Sequence, residues 1–186
     1  VEHALREGRT DLRHLPFVTI DPKSAKDFDD AVCLIEEKTK RTLWVAIADV
    51  GHYIKPETLL DDEAKARATS VYLPHAVLPM LPSRLSDNLC SLRAKVPRLA
   101  MTVSMEIEND CTIGKVAAFE SIIEVQENLS YEDALDNPKF QNMMDLAEEL
   151  RRNEIRLNLN SAELRPRVHE DEITVNKKQI LALKDW

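Results

Sequence analysis

Four aspartates, Asp21, Asp27, Asp29 and Asp30, fall within one short run, Thr19-Ile20-Asp21-Pro22-Lys23-Ser24-Ala25-Lys26-Asp27-Phe28-Asp29-Asp30. Two carboxylates about 5 Å apart repel by roughly 3 kcal/mol at an effective dielectric of about 20, and solvent and salt reduce that figure where the loop is exposed. A fold that gathers several of them therefore needs positive charge in their midst, and carboxylate oxygens are hard donors suited to Mg²⁺ or Mn²⁺. Asp27 and Asp29 are two residues apart and share a side if the chain is extended, with Asp30 turned the other way. Two metal ions about 4 Å apart, bridged by such carboxylates, can activate a water and stabilise the leaving oxygen of a phosphodiester. A calcium loop of the EF-hand kind is disfavoured, because its glycine and its bidentate Glu are missing at their set positions. A solvated acidic turn stays open on these residues alone.

The elements that would hold this loop are legible on either side of it. Leu15 to Ile20 is an apolar strand ending at Asp21, and Ala31 to Glu36 and Thr42 to Asp49 read as the arms of a hairpin joined by residues 37–41. The nearly continuous apolar run Leu43 to Ala48 predicts a central strand covered on both faces. Pro56 followed by Asp61, Asp62 and Glu63 and then Lys65 and Arg67 predicts a helix over Glu57 to Ala68, with charges placed as the macrodipole favours. Residues 72–97 hold four prolines and predict an ordered loop with a short helix near Leu85 to Leu92. Leu99, Met101, Val103, Met105 and Ile107 alternate as a half-buried strand, and Ile113 to Val125 returns beside it. Ser130 with Asp133 marks a helix start. Asn137-Pro138 opens a helix to about Leu157 with Phe140, Met143, Met144, Leu146, Ala147, Leu150 and Ile155 as its stripe. Two weak strands are expected around Asp171. The resulting expectation is a mixed α/β (α+β) domain: a twisted, largely antiparallel sheet with packed helices, residues 1–14 being a polar lead-in and 15–186 one domain.

The chain has 186 residues, 44% of them apolar and 31% charged, with three glycines, which describes an ordered globular chain. No apolar run approaches the roughly 20 residues that cross a bilayer, so no membrane partner is expected, and the charged N-terminus does not read as a signal peptide. Cys33, Cys90 and Cys111 are odd in number and lack metal-ligand spacing; buried free thiols in a reducing compartment, the cytoplasm, are expected. The net charge of −8 lies wholly after residue 100, where 10 Lys and Arg face 18 Asp and Glu, against 15 and 15 before it. That balance counts against a general nucleic-acid coat and leaves room for a locally basic channel. Asp49 ends a buried strand and reads equally as support for a metal or as a turn. His52, His75 and His169 are scattered, and Arg93, Lys95 and Arg98 read as solvated cations or phosphate contacts.

Longer stretches carry a resemblance. Leu15-Pro16-Phe17-Val18-Thr19-Ile20-Asp21, Lys26-Asp27-Phe28-Asp29-Asp30-Ala31, Trp44-Val45-Ala46-Ile47-Ala48-Asp49-Val50, Ser70-Val71-Tyr72-Leu73-Pro74, Pro79-Met80-Leu81-Pro82, Leu85-Ser86 and Leu89-Cys90-Ser91-Leu92 stand in this order and resemble the catalytic domain of the ribonuclease II/ribonuclease R (RNB) family, nearest its ribonuclease R branch. The resemblance runs from about Arg9 to about Glu163. It implies a processive, Mg²⁺-dependent 3′→5′ exoribonuclease that degrades single-stranded RNA to nucleoside 5′-monophosphates. It implies Asp21, Asp27, Asp29 and Asp30 as the active-site aspartates, with Asp21 and Asp30 as direct metal ligands, Asp27 completing the metal shell and Asp29 essential for catalysis. Tyr72 matches an aromatic that stacks on RNA bases near the 3′ end, an interaction tolerant of base identity; a tyrosine at the edge of the core is the other reading.

Some family features have no match. An arginine at the scissile phosphate, a further acidic residue and a second stacking aromatic, all from the later half of that domain, find no counterpart, nor do the flanking cold-shock-like and S1-like RNA-binding modules. The expectation is the first half of a nuclease domain, whose isolated activity is low or absent. The rival class is a non-catalytic metal- or RNA-binding module.

Overall fold

A computed structural model describes residues 3–4, 8–73, 76–152, 162–169 and 172–179. Seven strands form the main sheet: β1 (Thr10–Asp11), β2 (Val18–Asp21), β3 (Asp30–Glu36), β4 (Arg41–Ala48), β7 (Pro97–Ile107), β8 (Ile113–Glu124) and β9 (Glu127–Ser130), in the spatial order β1-β8-β7-β4-β3-β2-β9. The four inner pairings are antiparallel, while the two edge strands β1 and β9 run parallel to β8 and β2. The expected mixed α/β architecture is what the chain adopts. β5 (Val71–Tyr72) and β6 (Val77–Leu78) form a separate small hairpin, and β10 (Ala162–His169) pairs antiparallel with β11 (Glu172–Gln179) on either side of position 171.

Local chemistry accounts for the helices. α1 (Val50–Tyr53) is capped by Asp49, whose side chain accepts the His52 N–H. α2 (Leu59–Arg67) is capped by Thr58, with Asp61 and Asp62 in its first turn and Lys65 and Arg67 in its last. Ser130 and Asp133 close a reciprocal capping box on α3 (Tyr131–Leu135). The helix expected from Pro138 begins as a tight turn over Pro138–Phe140 and continues as α4 (Gln141–Arg152); its buried face is Met143 and Leu146 next to Phe140. The end expected near Leu157, and Ile155 of the stripe, lie outside the described residues. Leu85–Leu89 is a wide π-type turn where a short helix was expected.

Three sequence expectations are corrected by packing. β7 departs from its expected alternation in the middle: Ala100 and Thr102 are fully buried and Met101 of the apolar row is 41% exposed, whereas Ile107 of that row, beyond a register shift, is buried. Small residues, Ala31, Cys33, Ala46, Ala48 and Ala100, line the inner face because bulky groups approach them from outside the sheet, among them Phe17, Phe28, Leu92 and Leu12. Trp44 and Phe119 meet edge-on there, centroids 6.3 Å apart. β4 is central in the sheet but is not covered on both faces, since Ile47, opposite Met101, is 47% exposed. Finally, the polar lead-in enters the fold before residue 15: β1 extends the sheet, and Arg9 and Leu12 are buried.

Candidate functional site

β2 and β3 are antiparallel neighbours, so the loop between them starts and ends at one end of the sheet. Asp21 closes β2 opposite Ser130 of β9, and Asp30 opens β3 opposite Ile47. The returning arm, residues 26–29, is held by backbone and by one buried hydroxyl. Ser91 Oγ accepts the Phe28 N–H at 3.1 Å and donates to the Lys26 carbonyl at 2.8 Å. The Leu92 N–H donates to the Phe28 carbonyl and the Ala48 N–H to the Asp29 carbonyl, both at 2.8 Å. Phe28 packs against the core, while its neighbours Asp27 and Asp29 are half-exposed and exposed.

The four aspartates act on one another's charge. Burial pushes the Asp21 carboxyl up to about 6, the charges of Asp30, Asp29 and Asp27 add to the shift, and the Thr19 hydroxyl opposes it. Asp29 is raised by burial and then by Asp27 and Asp30; Asp30 is raised by burial. Asp29 and Asp30 are nonetheless open to solvent. Among the described residues, no Lys or Arg pairs with any of the four. One oxygen, Asp21 Oδ2, is buried and has no hydrogen-bond partner. A buried carboxylate oxygen left without donor or cation is costly, and hard carboxylate donors around it fit a divalent ion such as Mg²⁺ or Mn²⁺. As they stand, no three His, Cys, Asp or Glu side chains among the described residues close into a ready-made ligand cage.

Tyr72 lies 69% exposed on the β5–β6 hairpin, and its hydroxyl donates to Asp27 Oδ2 at 3.4 Å. It is no core-edge tyrosine: its ring stands in solvent beside the acidic loop, with apolar Val71, Leu73, Val77 and Leu78 also exposed around it.

The remaining sequence candidates have other work. Asp49 accepts Arg9 Nη2 at 2.6 Å in a buried ion pair, and Arg9 also reaches His52 Nδ1 at 3.4 Å. Arg98 donates to the Ser91 carbonyl at 2.9 Å, to the Pro97 carbonyl and to Asn88 Oδ1. Lys95 donates to Gln126 Oε1. His75 and the side chain of His169 lie outside the described residues. Cys33 and Cys90 are buried free thiols, burial pushing Cys33 up to about 12, and Cys111 is half-buried between Arg41 and Glu149. Sequence reasoning missed Thr19, Ser91 and Asn128, which hold the loop. The one available signal was a lone hydroxyl inside the apolar run Leu89-Cys90-Ser91-Leu92.

The mixed sheet with packed helices is the fold of RNB-family neighbours. The model of that family, described as the RNB domain, matches residues 9–182, and the chain belongs to the RNB family. It is 46% identical over 132 residues to ribonuclease R of Escherichia coli (strain K12), a match covering 70% of this chain and 16% of that protein. Against ribonuclease R of Vibrio cholerae the figures are 45% over 132 residues, 70% and 16%. Mycoplasma genitalium RNase R, solved with ribose-methylated single-stranded RNA, superposes with a TM-score of 0.83 at 30% identity, over 96% of this chain and 31% of that one. The chain thus spans about a sixth of the length of the curated relatives it matches.

Proposed function

We propose that this chain carries the aspartate part of a metal-dependent exoribonuclease site that removes nucleotides processively from the 3′ end of single-stranded RNA as nucleoside 5′-monophosphates. The observation that carries the reading is the buried, unpartnered Asp21 Oδ2, with three further carboxylates around it and no cation among the described residues. Asp21 and Asp30 would hold Mg²⁺ or Mn²⁺ directly, Asp27 would complete their shell, and Asp29 is assigned to the reacting water. A bound Mg²⁺ supplies Lewis acidity at the scissile phosphodiester. The protein's own residues supply placement: Ser91 holds the backbone that aims Asp27 and Asp29, and Tyr72 offers an open ring on which a base can stack for roughly 1–3 kcal/mol.

Single-stranded RNA as the ligand is supported by the RNA-bound Mycoplasma genitalium neighbour. We assign the remainder of the catalytic site, including the arginine at the phosphate, and cold-shock-like and S1-like modules to sequence beyond the matched stretch, and the cytoplasm as the compartment. No described helix is long and apolar enough to cross a membrane. Little or no turnover is therefore expected from this chain alone.

The test pairs binding with turnover. Calorimetric titration with Mn²⁺ should show binding that Asp21→Asn weakens, and unchanged affinity removes Asp21 from the ligand set. Release of 5′-nucleotides from a 3′-labelled oligoribonucleotide with Mg²⁺, where seen, should vanish in Asp29→Asn; turnover that survives this change belongs to a contaminant. No turnover together with Asp21-dependent Mn²⁺ binding is the expected result, and no metal binding at all overturns the reading in favour of a non-catalytic module.

A further inference from the structure

Asn128 stands on β9 directly opposite Thr19 of β2, two residues before Asp21 on the same strand. Its amide makes three hydrogen bonds to two segments, β2 and residues 92–94. Nδ2 donates to Thr19 Oγ1 and to the Leu92 carbonyl, each at 3.0 Å, and Oδ1 accepts the Ala94 N–H at 2.8 Å. The partners fix its orientation, because a backbone N–H can only donate and a backbone carbonyl can only accept. Thr19 is 1% exposed and accepts the Asn128 amide proton on its hydroxyl oxygen. Leu92 and Ala94 flank the other half of the site: Leu92 N–H and the fully buried Ser91 hydroxyl hold the backbone of residues 26–28. The far end of that clamp is held by Arg98 on the Ser91 carbonyl.

The two arms of the acidic loop are therefore fixed by different parts of the fold. Asp21 is placed by the β2–β9 pairing, and Asp27 and Asp29 by residues 91–92. Asn128 is the side chain that bonds to both. We propose that Asn128 is a positioning residue for the aspartate site, its amide cross-linking the strand that ends in Asp21 to the segment that clamps the arm carrying Asp27 and Asp29. This rests on the metal-site reading above. The cross-link sets the separation between the two arms, so its loss changes how well the carboxylates meet one ion.

A purely structural cross-link would lower stability without a separate effect on ion affinity. Mn²⁺ affinity and the thermal midpoint are measured together for the parent chain, Asn128→Ala, Thr19→Val, Asp21→Asn and Phe140→Leu. Phe140 is buried beside α4 and belongs to neither arm. Asn128→Ala should weaken Mn²⁺ roughly tenfold and Thr19→Val several-fold, whereas Phe140→Leu should stay within about twofold of the parent despite a lowered midpoint. Equal losses of affinity in Asn128→Ala and Phe140→Leu at matched midpoints overturn the proposal. If Asn128→Ala fails to fold, Thr19→Val decides, and parental affinity there overturns it. Asp21→Asn separates the two claims. Parental affinity in that variant brings down the metal reading and this proposal with it; lost affinity there, with none lost in Asn128→Ala, brings down only the assignment of Asn128.

Discussion

Asp49 and Asp21 both end a strand of the same sheet, and the fold treats their charges in opposite ways. Asp49 is met by Arg9 at 2.6 Å, with side chains 10% and 3% exposed, and its second oxygen caps α1. Asp21 has a buried oxygen with no partner and three like charges nearby. Where a carboxylate serves the scaffold, the chain brings a guanidinium from 40 residues away to neutralise it. At the acidic loop the described residues bring none, although Lys23 and Lys26 are in the loop itself. The absence is local and selective, as the proposed metal site requires.

The largest expected effect breaks the neutralised side. Arg9→Met leaves Asp49 buried and unpaired, and such single removals cost about 3–5 kcal/mol. Urea unfolding should show a loss of that order; a change within about 0.5 kcal/mol, the scale of ordinary surface substitutions, would mean that the two carboxylates do not differ as described.

Asp21→Asn should do the reverse in metal-free buffer. Asp21 titrates near 6 in the fold against 3.8 for the ordinary carboxyl, so the folded chain holds its proton more tightly. The associated stability is fully present below about pH 4 and is lost as pH rises through about 6. An amide carries no such loss. The variant should exceed the parent by about 1–2 kcal/mol near pH 7.5, less than the whole shift because the side chain is partly screened by solvent, and the gap should close below about pH 4. A gap that is constant with pH would show that Asp21 is not the group under strain.

The sequence was a good guide to the loop and a poor one to what holds it. The clustering of Asp21, Asp27, Asp29 and Asp30, the β3–β4 hairpin and the Ser130–Asp133 box are local signals, carried by spacing within a few residues. Asp49 read equally as metal support or turn because its partner Arg9 lies 40 residues earlier, just before β1, which no local pattern announces. Asn128 is a single amide in a polar stretch, and its bonds join Thr19 to residues 92–94, two segments that only the tertiary fold brings together. The middle of β7, where Ala100 and Thr102 are buried and Met101 is exposed, departs from the expected pattern for a related reason. Alternation shows that two faces differ, but when bulky groups come from elsewhere the small row is the one they cover.

The smallest effect separates repulsion within the loop from the general acidity of a chain of net charge −8. Raising monovalent salt from about 0.02 M to about 0.5 M shortens the screening length from roughly 20 Å to roughly 4 Å. The Arg9–Asp49 pair is closed to water and should barely respond. Asp29 and Asp30 face solvent, so the metal-free parent should gain up to about 1 kcal/mol as the repulsion within the loop is screened. Diffuse surface charge would contribute equally to the parent and to Asp21→Asn, which differ by one charge at one place. The informative quantity is therefore the difference between their urea midpoints as salt rises: it should shrink, because the parent recovers what the variant never lost. Parallel responses would assign the salt effect to the whole acidic surface and leave the loop without special repulsion.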